Sequence, residues 1–239
     1  MSEQILNHVF LVIDGNRRYA KKAGIPIEES YRIGAEKVTQ VVKHIFSNYN
    51  IPNVTIFALA FSNLKGRHAV DIMPILESQE KTARSWLDDD FFKNVRIRFI
   101  GKINDEKFLK ENTDFSFPSS YVEACKELER KTANNTEKNL NILIAYSGKI
   151  DALDAQKKFV EKLRADSCAE PSFDFYEHSG PDIDLIIRTS ESRPLSDGPA
   201  HLAFFSEFVP INKFWSEIEK GDIDEAINIF NSKNRRLGG

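Results

Sequence analysis

The chain has 239 residues, of which 41% are hydrophobic and 29% charged, with a formal net charge of -3. That balance suits a folded domain with a substantial core and gives no overall pull toward nucleic acid or anionic membrane, so any anion site must be a local cluster. The two cysteines, Cys125 and Cys168, make neither a disulfide framework nor a metal-ligand pattern.

Apolar runs alternate with segments of helical period, the pattern of a mostly parallel sheet wrapped by helices. The first residues lack a basic stretch followed by a signal-length apolar run, and the apolar run at 9–13 is too short to span a bilayer. A cytoplasmic protein is therefore expected. Residues 8–13 predict a strand that runs straight into Asp14, with a helix after Gly15. Ile33, Val38, Val41, Val42, Ile45 and Phe46 recur at helical spacing and predict one amphipathic helix. A strand is expected at 54–61, a loop at 63–69, and then a helix carrying Met73, Leu76, Ala83, Trp86 and Leu87. Further strands are expected at 95–100, 140–146, 185–188 and 201–205, with helices at 121–131, 151–164 and 222–231. No internal repeat or low-complexity linker divides the chain. The expected fold is one α/β domain over residues 1–239, a mostly parallel six-stranded sheet flanked by helices.

In such sheets ligands gather at the carboxyl ends of the strands, where Asp14 falls. The helix expected next offers free backbone N–H groups suited to phosphate, and Gly15 permits close backbone approach. Arg17 and Arg18 add charge-assisted hydrogen bonds for the same anion. An acid among these cations makes sense if it holds Mg²⁺ against a diphosphate. Spacing alone fits equally an acidic turn before a basic, solvated helix face. No Gly-rich nucleotide loop precedes a Lys-Ser/Thr pair, and the five histidines show no ligand spacing; His68 is expected to be solvated.

The run His8-Val9-x3-Ile13-Asp14-Gly15-Asn16-x-Arg18 resembles the opening signature of the cis-prenyltransferase (undecaprenyl diphosphate synthase) superfamily. Gly34-Ala35 with Val38, the stretch from Thr55 to Asn63, and Leu140-Asn141-Ile142 with Tyr146-x-Gly148 follow in the family's order. So do Pro181-Asp182, Leu185-Ile186-Ile187-Arg188-Thr189, Leu195-Ser196, Glu207 and the tail Arg235-Arg236-Leu237-Gly238-Gly239. Each match is weak alone; the ordered set spans the chain.

The resemblance implies a Mg²⁺-dependent prenyltransferase acting on isoprenoid diphosphates: dimethylallyl, isopentenyl, and geranyl or farnesyl diphosphate. It implies a homodimer, with at most peripheral membrane contact through a greasy product. Asp14 and Asn63 would be catalytic, with Asp14 and Glu207 holding the metal. Gly15, Asn16, Arg17, Arg18, Tyr31 and Arg67 would surround one diphosphate, and Arg188, Arg193 and Ser196 the other. The family's apolar tunnel would be walled here by Leu143, Ile144 and Trp86, bulk that predicts a product on the order of two to four isoprene units.

The departures lie at the chemistry. Ser30-Tyr31 stands where a Gly-His pair is usual, and Ile27 where an arginine is. After the second strand comes Asn63-Leu64-Lys65-Gly66-Arg67, without the usual serine, acid and tryptophan. Pro194 takes the place of the second-site arginine, leaving Arg193 one residue early. The stretches 24–31 and 63–67 resemble those of lavandulyl and cyclolavandulyl diphosphate synthases, which implies branched coupling of dimethylallyl units as an alternative to regular elongation. A second alternative is a non-catalytic partner subunit that lends its Arg236-Leu237-Gly238 tail to another chain. Asp14, Gly15, Asn16 and Arg18 speak against it, because inactive partners tend to lose them. An unrelated phosphate-binding α/β protein is the third.

Overall fold

Short, largely apolar runs become the strands of one sheet, buried at its centre and partly exposed at its two edges. In the computed structural model, described over residues 5–190 and 195–233, these are β1 (His8–Val12), β2 (Asn53–Ala60), β3 (Arg96–Ile100), β4 (Asn139–Tyr146), β5 (Leu185–Thr189) and β6 (Glu207–Ile211). All neighbouring pairs are parallel, in the order β3-β4-β2-β1-β5-β6. The helices are α1 (Asn16–Ala23), α2 (Ile27–Asn48), α3 (Phe61–Gly66), α4 (Ala69–Asp88), α5 (Glu106–Asn112), α6 (Ser119–Thr132), α7 (Gly148–Ala165) and α8 (Lys220–Ser232). Among the described residues, no helix is long and apolar enough to cross a membrane. The chain begins at the centre of the sheet, builds outward through β2, and then crosses β1 to lay down β5 and β6. β1 is therefore the point where strand order reverses, and a crevice opens at its carboxyl end.

Alternation along the strands sends Val9, Leu11, Val54, Ile56, Leu140, Ile142 and Ile144 into the larger core, shared with α2 and α4. Phe10, Val12, Phe57 and Leu143 pack in a second, smaller cluster on the opposite face. This separates two expected tunnel residues: Ile144 lies on the α2–α4 side, but Leu143 does not. Neighbouring residues in a strand point to opposite faces, so only one of the pair can wall a cavity.

Two other expectations are corrected. Residues 201–205 are not a strand: Ala200–Leu202 form a 3-10 turn, in which buried His201 meets the carbonyl of His178 at 2.9 Å. The sixth strand starts six residues later, at Glu207. The expected loop after β2 begins as a helical turn, α3.

A polar seam runs under the smaller cluster. His8 Nε2 lies 2.8 Å from Thr55 Oγ1, which also accepts from Asn141 Nδ2 at 3.2 Å and lies 3.3 Å from His178 Nε2. His8 Nδ1 meets the Pro181 carbonyl at 2.9 Å. Burial, joined by the charges of His8, Arg98 and His201, lowers the His178 pKa to about 3. Burial also lowers that of His8. As pH falls below about 6.5 the unfolded chain takes up protons that folded His178 refuses. Its contribution to stability is then full above that pH and is lost toward pH 3, at up to ~1.4 kcal/mol per pH unit. Urea unfolding should show lower stability at pH 5 than at pH 7, and the difference should shrink in His178→Gln. An equal difference in both proteins would mean that His178 titrates normally when folded.

Candidate active site

Asp14 lies two residues beyond β1, and its backbone is clamped from two sides. Its N–H donates to Thr189 Oγ1 at 2.8 Å, while its carbonyl accepts from the Thr189 hydroxyl at 2.8 Å and from the Trp215 N–H at 2.9 Å. The carboxylate is left to face two guanidiniums, Arg188 Nη2 at 2.9 Å and Arg18 Nη2 at 3.3 Å. Arg188 reaches it because parallel pairing of β1 and β5 sets Arg188 beside Val12. Only 4% of Arg188 is exposed, and its second fork nitrogen donates to Ser196 Oγ at 2.5 Å. Arg188 therefore holds one orientation between an acid and a hydroxyl.

Gly15 turns the chain from β1 into α1 at φ +107, and a Cβ there would stand 2.7 Å from the Phe214 ring. The position therefore requires glycine on two counts. Asn16 is tied inward: its Oδ1 accepts from Ser216 at 2.9 Å and its carbonyl from the Ser30 hydroxyl at 2.7 Å. Ser30 thus pins α1 to α2, a structural use for one of the departures from the family pattern.

Behind Asp14 opens a cavity of about 950 Å³. Arg17, Tyr31, Asn63 and Arg67 line one side of its mouth, and Arg188, Ser196 and Lys149 also line it. The Tyr31 hydroxyl is buried, with the Arg67 guanidinium beside it. Burial raises its pKa against the opposing charges of Arg67 and Arg17. Arg67 is lowered by burial and then by Arg17, the reciprocal of two cations crowded round one space. The body of the cavity is apolar, with Ile56, Ile142, Ile144 and Phe99 from the sheet facing Val38, Ile75, Ala83 and Trp86 from α2 and α4. Trp86 stacks on Phe92 at 4.2 Å between ring centres and donates its indole N–H to Thr39 at 3.0 Å.

Residues 12–238 match the family model described as "Putative undecaprenyl diphosphate synthase". The chain belongs to the undecaprenyl diphosphate synthase family. It is accordingly a prenyltransferase, an enzyme that transfers alkyl groups other than methyl. A tritrans,polycis-undecaprenyl-diphosphate synthase (geranylgeranyl-diphosphate specific) from Pyrobaculum aerophilum is 30% identical over 99% of this chain and 98% of its own. A ditrans,polycis-undecaprenyl-diphosphate synthase ((2E,6E)-farnesyl-diphosphate specific) from Micrococcus luteus is 26% identical over 99% of this chain and 92% of its own. In fold, the chain is similar to lavandulyl diphosphate synthase from Lavandula x intermedia, crystallised with dimethylallyl diphosphate. The TM-score is 0.84 at 21% identity, covering 98% of each chain.

Of the residues that the family resemblance singles out, Asp14, Gly15, Asn16, Arg17, Arg18, Tyr31, Asn63, Arg67, Arg188 and Ser196 all line this cavity. Glu207 does not. It opens β6 opposite Leu185, at the amino end of the sheet, and pairs with Lys233 at 2.6 Å. Four residues of strand, roughly 13 Å, separate that level from the carboxyl end where Asp14 sits. Within one chain Glu207 is therefore not a second ligand beside Asp14. Arg193 and the tail Arg235–Gly239 lie outside the described residues. Lys149 is a cavity residue missed in the sequence, although its place in the first turn of α7, directly after β4, was a usable signal. His68 is exposed, as expected.

Proposed function

We propose that this prenyltransferase condenses an allylic prenyl diphosphate with isopentenyl diphosphate, or with a second five-carbon unit, to a short isoprenoid diphosphate. The observation that carries the reading is one apolar cavity whose mouth holds Asp14 among Arg17, Arg18, Arg67 and Arg188. Arg17, Arg67 and the Tyr31 hydroxyl would grip the allylic diphosphate; Arg188 and Ser196 would grip the other. The apolar walls would shelter the prenyl tail and keep water from the allylic carbon. Bulk at Trp86 and Ile144, on facing walls, supports a short product.

Mg²⁺ belongs to this proposal, and the residues fit it. Asp14 offers a carboxylate that is 38% exposed at the cavity mouth. No cluster of three or more His, Cys, Asp or Glu able to hold a metal exists among the described residues. That donor set suits Mg²⁺, which keeps its waters and binds through one or two carboxylates plus substrate phosphates. Bound at Asp14, it would offset charge developing on the departing diphosphate oxygens. A homodimer is also proposed, supported by the family resemblance and by Phe204, 72% exposed just before edge strand β6.

Branched coupling of two dimethylallyl units is the second reading. What favours it is that the altered stretches put Tyr31, Asn63 and Arg67 directly on the cavity mouth. Product analysis separates the two. The purified protein with Mg²⁺ receives dimethylallyl diphosphate, alone and then with isopentenyl plus geranyl or farnesyl diphosphate. Dephosphorylated products are identified by gas chromatography and mass spectrometry. A short linear product that requires isopentenyl diphosphate is the expected result. A branched product from dimethylallyl diphosphate alone would establish irregular coupling. Folded protein that makes nothing from any mixture would overturn both in favour of a partner subunit.

A further inference from the structure

Ser196 and Asp197 adopt successive left-handed conformations, with φ of +57 and +64. For residues other than glycine such a conformation is strained, and it persists only where the surroundings impose it. Here the end of α7 imposes it. Asp197 Oδ2 accepts from the Ser147 hydroxyl at 2.5 Å, its Oδ1 from the Lys149 N–H at 3.2 Å, and its carbonyl from the Gly148 N–H at 2.8 Å. The turn is pressed against the helix so closely that a Cβ on Gly148 would stand 2.4 Å from the Gly198 carbonyl oxygen.

The strained turn has a consequence at the cavity mouth. It delivers Ser196 Oγ to Arg188, whose other nitrogen holds Asp14, and the Asp197 carboxylate anchors the backbone of Lys149, which also lines the cavity. We propose that Asp197 is a positioning residue: by locking the 196–197 turn onto α7 it fixes Ser196, Arg188 and Lys149 as one diphosphate-binding group. The inference rests on the reading of the site as diphosphate-binding. Asp197 itself lines the cavity, but its tethers to Ser147 and Lys149, not contact with the anion, carry this role. Its own negative charge would oppose an anion nearby, so a purely electrostatic role predicts the opposite result on neutralisation.

Asp197→Gly and Asp197→Asn distinguish the possibilities. Glycine relieves the positive φ while removing the side-chain tether; asparagine tolerates the left-handed region and keeps an acceptor for the Lys149 N–H. Asp197→Gly is expected to raise the KM of one diphosphate substrate, the one seated on Arg188 and Ser196, by about tenfold, with the other KM within about twofold. Its melting temperature should stay near that of the unaltered protein, and Asp197→Asn should restore the KM. Calorimetric titration with inorganic diphosphate and Mg²⁺ gives a readout independent of turnover, and should show a matching loss in Asp197→Gly. Unchanged KM and diphosphate affinity in Asp197→Gly would overturn the proposal, as would a parallel rise of both KM values with a lowered melting temperature. Tighter diphosphate binding in both variants would assign Asp197 a repulsive role instead. If the unaltered protein binds diphosphate without turnover, only the prenyl-transfer reading falls; if it binds no diphosphate, both fall.

Discussion

Asp14→Asn should lower kcat by about a thousandfold while leaving the fold intact. The carboxylate faces both Arg188 and Arg18 and is the ligand proposed for the metal. The amide fills the same space but carries no charge. The backbone at this position stays clamped by Thr189 and Trp215, neither of which touches the carboxylate in these contacts. The melting temperature should therefore move little, and steady-state turnover should reveal the loss. Arg188→Lys should fail comparably, since a point charge on a flexible stem does not meet Asp14 and Ser196 at once as a planar fork does. An Asp14→Asn enzyme that kept a tenth or more of its turnover would remove the carboxylate from the account.

The second large effect is expected at Trp86. Trp86→Ala should lengthen the product by at least one isoprene unit and destabilise the fold by about 3–5 kcal/mol, the usual cost of emptying a buried aromatic site. Trp86 is buried, stacked on Phe92 and hydrogen-bonded to Thr39, so the space released adjoins the cavity. Because such a loss can unfold a domain, Trp86→Phe is the controlled companion: it keeps a ring against Phe92, gives up the bond to Thr39 and removes less volume. Ile144→Ala opens the facing wall and should act in the same direction. Leu143→Ala, one residue away in β4 but on the other face of the sheet, should cost stability and leave the product unchanged. Mass spectrometry of the products reads all four. A longer product from Leu143→Ala, with none from the other variants, would place the tunnel on the wrong side of the sheet.

Much of this architecture can be read from the order of residues. β1, β2, β4 and β5 are short, largely apolar runs at the lengths that buried parallel strands have, β3 alternates in the manner of an edge strand, and α2 and α4 announce themselves by spacing. β6 hides because it is an edge strand carrying Pro210, which a central strand would not tolerate, while the more apolar run just before it folds as a turn. α3 and α5 are six and seven residues long, too short for a period to show. At the site, residues beside the opening signature were legible, but what joins them was not. The Asp14–Arg188 ion pair links positions 174 apart in sequence and depends on strand register. Asp197-Gly198 marks a turn in the sequence, but not that Ser196 and Asp197, neither of them glycine, would be left-handed where the start of α7 meets them. Glu207 shows the converse: resemblance supplied a residue whose strand position places its side chain at the far end of the sheet.

The most direct test of the central claim is a crystal structure with Mg²⁺ and the unreactive thiolo analogue of dimethylallyl diphosphate. Its diphosphate is expected between Asp14 and the group of Arg17, Tyr31 and Arg67, with its hydrocarbon tail in the cavity directed toward Trp86 and Ile144. An analogue seated instead on the outer basic face of α1, against Lys22 and Phe214, with no prenyl tail in the cavity, would contradict it.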